Sequence, residues 1–112
     1  MLTIYHNPRC SKSRQTLQLL EQNNAEFTVV EYLKTPLNAS EIKDLLSKLE
    51  VSAIEMMRTK EAEFKEQQLK DADSETLINA MANTPKLIER PIVVKQNKAV
   101  IGRPPENVLT LL

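Results

Sequence analysis

The first 33 residues predict a strand, a helix and a second strand, and this βαβ pattern constrains the fold more than any other feature of the chain. An apolar run begins at Leu2 and stops at Asn7-Pro8, and a second run, rich in β-branched and aromatic residues, spans 27–33. Between them, Ser11 to Asn24 repeats its leucines along one stripe, as an amphipathic helix does. Because a βαβ crossover is right-handed and returns in the same direction, the two strands are predicted to be parallel.

The C-terminal part of the chain predicts a hairpin followed by a helix. Residues 91–95 and 98–102 are β-branched runs joined by Gln96-Asn97, and such a short connection implies antiparallel pairing. Pro104-Pro105 then fix the start of a last helix. The residues of this helix that are predicted to face the core are Val108, Leu109 and Leu112.

The residues between these two parts predict helices, together with a charged stretch that is either helix or loop. A first helix opens at Ser40-Glu41, and a Ser52–Glu55 capping box starts a short helix that runs through Arg58. The charged stretch 59–73 follows, with Phe64 and Leu69 as its apolar anchors. A last helix is capped by Asp73 or Ser74 and ended by Thr84-Pro85. A βαβ half, a helical insertion and a ββα half predict an α/β chain with the thioredoxin-like fold and a mixed sheet of about four strands.

At 112 residues the chain is predicted to be a single domain, 1–112, and 41% hydrophobic content is enough for one core. Fifteen basic and fifteen acidic residues cancel, so neither a nucleic acid nor a membrane partner is indicated. No apolar run is long enough to span a bilayer and the N-terminus lacks a secretory signal, so the cytoplasm is the expected compartment. The only glycine, Gly102, excludes a glycine-rich phosphate loop and a dinucleotide fingerprint.

The only cysteine, Cys10, is predicted to lie in the turn between the first strand and the first helix. The backbone amides and the dipole at a helix N-terminus stabilise a thiolate, and Arg9, Lys12 and Arg14 add positive charge nearby. The alternative is a small buried hydrophobic residue, but the polar and basic neighbours favour a nucleophile. Since one cysteine cannot form an intramolecular disulfide, a redox role needs a second thiol from outside the chain.

Two polar residues near Cys10 are candidates for tuning its thiolate. Ser13 gives the stretch the Cys-x-x-Ser form of a one-thiol redox site, and its hydroxyl is either a donor to the sulfur or an ordinary helix cap. His6, the only histidine, ends the first strand and is a candidate to influence the thiolate. His6 and Cys10 alone supply two ligands, which are too few for zinc, so no metal site is predicted.

Three arginines at the ends of predicted elements form a candidate anion site: Arg58, Arg90 and Arg103. Arg90-Pro91 opens a strand, and its peptide bond is a candidate cis bond that would aim Arg90 at the catalytic turn. Arg103-Pro104 repeats the dipeptide after the hairpin. Taken alone, each arginine is more simply solvated or paired with a neighbouring carboxylate. Guanidinium groups bind tetrahedral oxyanions in bidentate fashion, so three of them around one thiolate predict a pocket for phosphate, sulfate or arsenate.

Several motifs follow one another in order through nearly the whole chain. They are His6-Asn7-Pro8-x-Cys10-x-x-Ser13-Arg14, Tyr32-Leu33-x-Thr35-Pro36, the short helix ending in Arg58, Arg90-Pro91-Ile92-Val93-Val94 and Arg103-Pro104. Together they resemble the ArsC family of glutaredoxin-coupled arsenate reductases. Because the sequence ends directly after its last predicted helix, the resemblance is to the shorter, ArsC-like branch of that family.

The resemblance implies a thioredoxin-like fold with a helical insertion and assigns the nucleophile to Cys10, while His6 and Ser13 match positions that tune the thiolate. It assigns oxyanion binding to three arginines, Arg58, Arg90 and Arg103. In the implied reaction Cys10 attacks arsenate, glutathione attacks the adduct as a co-substrate, and glutaredoxin removes the glutathione as arsenic(V) becomes arsenic(III). No bound cofactor is expected.

Two other functions are compatible with the sequence. One is a monothiol redox module in which Cys10 forms a mixed disulfide with glutathione and never reduces arsenate. The other is a non-enzymatic transcription regulator similar to the Spx proteins, which share this fold and bind RNA polymerase. Those regulators normally carry Cys-x-x-Cys, so Ser13 argues against their redox switch but not against binding.

Overall fold

The computed structural model describes all 112 residues, from Met1 to Leu112. The chain folds as two compact units. The first, which we call the sheet unit, consists of Met1–Thr35 together with Arg90–Leu112, and the second, the helical unit, is Pro36–Glu89. No helix in either unit is both long enough and apolar enough to cross a lipid bilayer.

A four-stranded mixed sheet forms the centre of the sheet unit. Its strands are β1 (Leu2–Tyr5), β2 (Phe27–Val30), β3 (Ile92–Lys95) and β4 (Lys98–Ile101). They lie in the order β2-β1-β3-β4, with β1 parallel to β2 and β3 antiparallel to both β1 and β4. Helix α1, Ser11–Gln22, connects the parallel pair. The predicted βαβ unit and hairpin, and with them the α/β thioredoxin-like fold class, are confirmed.

The two elements that follow β1 end earlier than the sequence predicts. Helix α1 ends at Gln22, and Asn24, predicted as its last residue, has a positive φ of 54° that no helix accommodates. Strand β2 ends at Val30 rather than Leu33. The reason is a turn, because the Glu31 carbonyl oxygen accepts hydrogen bonds from the amides three and four residues later.

The core of the sheet unit is formed by apolar residues of the strands, of α1 and of the C-terminal helix: Leu2, Ile4, Leu20, Val93, Val108 and Leu111. The C-terminal helix, Pro105–Leu111, is a 3-10 helix. Since a 3-10 helix has three residues per turn, Val108 and Leu111 are buried together, whereas Leu109 and Leu112 are 41% and 48% exposed. The prediction that Leu109 and Leu112 face the core is therefore wrong.

The helical unit consists of helices of about three turns or fewer, joined by turns. They are α2 (Ala39–Leu49), a 3-10 helix (Ile54–Met56), α3 (Ala62–Glu66), α4 (Ser74–Asn83) and a second 3-10 helix (Pro85–Leu87). Phe64 and Leu69 are buried, as predicted for the charged stretch. The Asp73 side chain caps α4 by accepting a hydrogen bond from the Thr76 amide at 2.9 Å, and α4 stops before Thr84-Pro85 as the sequence predicts.

The capping box lies at a different place from the predicted one. At the start of α2, Asn38 Oδ1 accepts a hydrogen bond from the Glu41 amide at 2.8 Å, and the Glu41 carboxylate accepts one from the Asn38 amide at 3.0 Å. Ser52 and Glu55 form no such box, because the Ser52 carbonyl oxygen takes the Glu55 amide as the chain enters a 3-10 helix. That helix stops before Arg58, so the prediction that Arg58 closes a helix is also wrong.

Gly102 lies where α1 and the start of β3 approach the end of β4. A Cβ atom at this position would lie 2.8 Å from Thr16 Oγ1 and 2.9 Å from Pro91 Cγ. Thr16 is fully buried and its hydroxyl donates to the Lys12 carbonyl oxygen at 2.9 Å, so it has little room to move. We therefore expect Gly102→Ala to lower the free energy of unfolding by about 1–3 kcal/mol, measured by chemical denaturation. An unchanged denaturation midpoint would show that the contact relaxes without cost.

Candidate active site

One end of the sheet gathers three chain segments that carry predicted site residues. Strand β1 leads into the loop that carries the cysteine, and its last residue pairs with Ile92, the first residue of β3. Ile92 also pairs with the last residue of β4. The residue after β4, Gly102, donates a hydrogen bond to the Pro91 carbonyl oxygen at 2.8 Å. The segments that lie side by side at this end therefore bear Cys10, Arg90 and Arg103.

Hydrogen bonds fix the loop between β1 and α1. The Cys10 amide donates to the Asn7 carbonyl oxygen at 3.0 Å and closes a turn that has Pro8 at its second position. The Arg9 amide donates to the Asn7 side-chain oxygen, also at 3.0 Å. The Arg14 guanidinium reaches back from α1 to the Pro8 carbonyl oxygen at 2.9 Å. Cys10 is thereby held as the N-cap residue of α1, with an extended backbone (φ −96°, ψ 124°).

The Cys10 thiol has a lowered pKa although it is only 9% exposed. Burial is the largest single influence and raises the pKa, but the Ser13 amide, the positive charge of Arg90 and the Lys12 amide together outweigh it. The two amides belong to the first turn of α1, where backbone donors have no helical partner. The thiol makes no capping hydrogen bond, and the Arg90 side chain lowers its pKa through its charge and as a hydrogen-bond donor. Cys10 is therefore poised to react as a thiolate.

The Ser13 hydroxyl, for which the sequence leaves open a bond to the sulfur or an ordinary helix cap, bonds instead to the two residues that follow β1. It lies 2.6 Å from His6 Nδ1, and its oxygen accepts a hydrogen bond from the Asn7 amide at 3.0 Å. The backbone amide of Ser13, and not its hydroxyl, favours the Cys10 thiolate. The hydroxyl therefore acts on the loop together with His6 rather than on the sulfur. The hydroxyl joins the end of β1 to the first turn of α1 and so supports the position of Cys10.

His6 is a buried titratable group, and the stability of the fold is expected to depend on its protonation. The pKa of His6 is lowered, and burial is the largest cause. The negative charge of Glu31 raises the pKa and the positive charge of Arg14 lowers it, and both effects are smaller than that of burial. The folded-state pKa thus lies below the unfolded value of about 6.5. At and below about pH 6.5 the folded protein then binds fewer protons than the unfolded chain. The contribution of neutral His6 to the free energy of unfolding is therefore complete above about pH 6.5, and it is lost as the pH falls toward the folded-state pKa.

We expect the denaturation midpoint to decrease between about pH 7 and about pH 5, and to decrease less in His6→Asn. The asparagine amide keeps a polar group near Nδ1 that bonds to Ser13 but does not titrate. His6 is the only histidine of the chain, so the difference between the two proteins isolates its contribution. Identical pH dependence of the midpoint in both would contradict the linkage to His6.

The arginines of the sheet unit have different surroundings. Arg90 is only 9% exposed, and its guanidinium lowers the pKa of Cys10. Arg103 is exposed and follows the end of β4, where its amide bonds to the carbonyl oxygen two residues earlier at 2.9 Å. The Arg90–Pro91 bond, the predicted candidate for a cis peptide, is cis, and the Arg103–Pro104 bond is cis as well.

Arg58 belongs to the helical unit, where its amide donates to the Leu87 carbonyl oxygen at 2.8 Å. Its Nη2 atom lies 2.6 Å from Glu61 Oε1, and the Glu61 side chain is only 17% exposed. The Glu61 carboxylate is therefore partly buried against Arg58. The two side chains meet because a turn joins the residues, in which the Glu61 amide donates to the Arg58 carbonyl oxygen at 3.2 Å.

Two residues that hold the cysteine loop are missing from the predicted site. Asn7 bonds to the loop through its backbone and its side chain, and Asn-Pro is a known turn signal that could have identified it. Arg14 was predicted only as a charge near the thiolate. Its bond to Pro8 has no signal in the sequence, because it depends on how the loop folds back over α1.

Comparison with known proteins identifies relatives along nearly the whole chain. The model of the ArsC family matches residues 5–111. An uncharacterized protein of Escherichia coli, YfgD, is 56% identical over 112 residues, which cover 97% of this chain and 94% of the relative. An arsenate reductase of Neisseria meningitidis is 47% identical over an alignment of 114 positions, which covers 99% of this chain and 97% of the relative. A solved structure of an arsenate reductase from Vibrio cholerae, 48% identical, superposes with a TM-score of 0.97 over 99% of this chain and 97% of that one. The chain therefore belongs to the ArsC family.

Proposed function

We propose that the protein is an arsenate reductase in which the Cys10 thiolate attacks arsenate, and that glutathione and glutaredoxin complete the reduction to arsenite. The observation that carries this proposal is a nearly buried thiol at the N-cap of α1, with a pKa lowered by the Ser13 amide and by Arg90. A guanidinium beside a thiolate both stabilises it and offers donors to a tetrahedral anion. Membership in the ArsC family and the names of the Neisseria and Vibrio relatives support arsenate as that anion.

In the first step the thiolate attacks arsenic(V). An As–S bond forms, an As–O bond breaks, and the oxygen leaves as water after taking up protons from the arsenate and the solvent. We assign neutralisation of the developing charge to three arginines, Arg58, Arg90 and Arg103. Arg90 and Arg103 lie on segments at the same end of the sheet as the Cys10 loop. We include Arg58 because its position matches an oxyanion-binding arginine of the ArsC family, whose model covers residues 5–111.

The reducing electrons come from outside, because the chain has one cysteine. Glutathione displaces a second oxygen as water and forms a second As–S bond. The glutaredoxin thiolate then attacks the glutathione sulfur, so that a disulfide joins the two reductants. The electron pair of the broken As–S bond stays on arsenic, which becomes arsenic(III). Water finally cleaves the bond to Cys10 and releases arsenite and the thiol.

The same arginines would bind phosphate, which has the shape and charge of arsenate, but thiols do not reduce phosphate. Selectivity for arsenate then comes from the chemistry as well as from binding. The mechanism needs a supply of reduced glutathione, and we propose the cytoplasm as its compartment.

The proposal is tested by supplying the purified protein with arsenate, glutathione and glutaredoxin and measuring arsenite. Arsenite formation that requires all three additions supports it. A mixed disulfide between Cys10 and glutathione, formed without arsenite, would favour the monothiol redox module instead. Binding to RNA polymerase without any thiol chemistry would favour the Spx-like regulator.

A further inference from the structure

A carboxylate is paired with the arginine of the helical unit that the proposed function assigns to oxyanion binding. Arg58 Nη2 lies 2.6 Å from Glu61 Oε1, and the two side chains are 25% and 17% exposed. The Glu61 amide also donates to the Arg58 carbonyl oxygen at 3.2 Å, and the Arg58 amide donates to the Leu87 carbonyl oxygen at 2.8 Å. The backbone of this turn is therefore fixed at both ends, and the fold keeps the two charged side chains together.

Glu61 is not used to start the helix that follows it. It occupies the N-cap position of α3 with an extended backbone (φ −69°, ψ 147°), but its side chain makes no capping hydrogen bond. Asp73 occupies the equivalent position of α4 and does cap it, through the Thr76 amide. The Glu61 carboxylate is instead directed to Arg58, so its role is electrostatic rather than that of a helix cap.

Lys86 supplies a second cation to the same carboxylate. Its Nζ atom lies 3.8 Å from Glu61 Oε2 and 3.5 Å from Glu63 Oε2. The two oxygens of Glu61 thus face different cations, Arg58 at Oε1 and Lys86 at Oε2. Because Lys86 continues to neutralise it, the carboxylate can release Arg58 to another anion without being left as an unpaired, partly buried charge.

We propose that Glu61 is a positioning residue that sets the affinity of the protein for the oxyanion by competing with it for Arg58. This inference rests on the proposed function, in which Arg58 is an oxyanion ligand. A dianion that approaches Arg58 meets a guanidinium that is already partly neutralised and a neighbouring carboxylate that repels it. Removing the charge of Glu61 strengthens oxyanion binding. Removing the charge of Lys86 has the opposite effect, because it leaves Arg58 as the main partner of Glu61.

Two measurements test this competition: the kinetics of arsenate reduction and the binding of inorganic phosphate, which is not reduced. In Glu61→Gln we expect the KM for arsenate and the Kd for phosphate to fall by about 3- to 10-fold, with kcat changed by less than about 2-fold. In Lys86→Gln we expect both constants to rise by about 2- to 3-fold. Glu66→Gln is the matched control, because Glu66 is an exposed carboxylate of the helix α3 that Glu61 precedes, and both constants should stay within about 2-fold of the wild type.

A rise of both constants in Glu61→Gln would show that Glu61 orients Arg58 toward the anion, and would overturn the competition. Unchanged constants would show a merely structural pair and would overturn it as well. The phosphate titration does not depend on turnover, so it still tests the inference if the wild-type protein forms no arsenite. In that case the proposed activity fails while phosphate tightening in Glu61→Gln supports the inference, and no phosphate binding by either protein overturns it.

Discussion

Replacement of Cys10 by serine is expected to abolish arsenite formation, with a loss of at least about 10³-fold in kcat. The sulfur is the atom that bonds to arsenic in the proposed mechanism. A serine hydroxyl keeps its proton near neutral pH and is a much weaker nucleophile. The Ser13 amide and Arg90, which lower the pKa of the thiol, cannot compensate for the lost sulfur. The measurement is the rate of arsenite release with glutathione and glutaredoxin supplied, compared with the rate without protein.

The Cys10→Ser variant is expected to stay folded, because serine is among the preferred residues at a helix N-cap. Circular dichroism and the denaturation midpoint should therefore resemble those of the wild type. Ser11→Ala is a matched control, since Ser11 is the exposed first residue of α1 and leaves the thiol in place. Arsenite release by Cys10→Ser above the protein-free rate would contradict a covalent role for Cys10, and the proposed mechanism would have to be abandoned.

The sheet could be predicted from the sequence because short β-branched runs alternate with strong turn signals. Asn7-Pro8 ends the first run, and Gln96-Asn97 separates two runs that pair in the structure as an antiparallel hairpin. The parallel direction of the first two strands then follows from the helical crossover between them, without any knowledge of contacts. Local chemistry and the geometry of the crossover were enough for this part of the fold.

The ends of the helices, and whether a helix is α or 3-10, could not be predicted in the same way. The leucines at the end of the chain fit an α-helix and a 3-10 helix equally well, and only packing selects the period that buries Leu111 rather than Leu112. A Ser-x-x-Glu motif likewise permits a capping box at Ser52 without requiring one. The chain forms the box at Asn38 instead, where an α-helix of 11 residues follows.

The chemical identity of the site could be predicted better than its hydrogen bonds. A cysteine between a strand and a helix indicates a thiolate whatever the details of packing, and the structure agrees. The direction of the Ser13 hydroxyl depends on where the ends of β1 and α1 meet, which brings His6 and the Asn7 amide to it. A hydroxyl rotates freely, so its partner is decided by tertiary structure and not by spacing along the chain.

Arg90→Met is expected to raise the pKa of the Cys10 thiol and to lower kcat/KM for arsenate by about 10²- to 10³-fold. Methionine keeps an apolar side chain of similar length in a position that is 9% exposed, while it removes the positive charge and the hydrogen-bond donors that lower the pKa of the thiol. Burial raises the pKa of the thiol, and in the variant only the Ser13 and Lys12 amides still lower it. The thiol pKa is measured from the pH dependence of alkylation by iodoacetamide, whose rate follows the thiolate fraction and should rise at a higher pH than in the wild type.

Arg90→Lys separates the two roles proposed for this side chain. A lysine keeps the positive charge, so the alkylation profile should stay closer to that of the wild type, but it lacks the planar fork that binds two oxygens at once. We therefore expect Arg90→Lys to retain a reactive thiol and still lose most of the arsenate kcat/KM. Arg9→Met is the control for a lost charge beside Cys10 in sequence, since Arg9 is exposed, and it should change neither property much. If Arg90→Met leaves the alkylation profile in place, the thiolate does not depend on Arg90, and the helix amides of Ser13 and Lys12 alone must stabilise it.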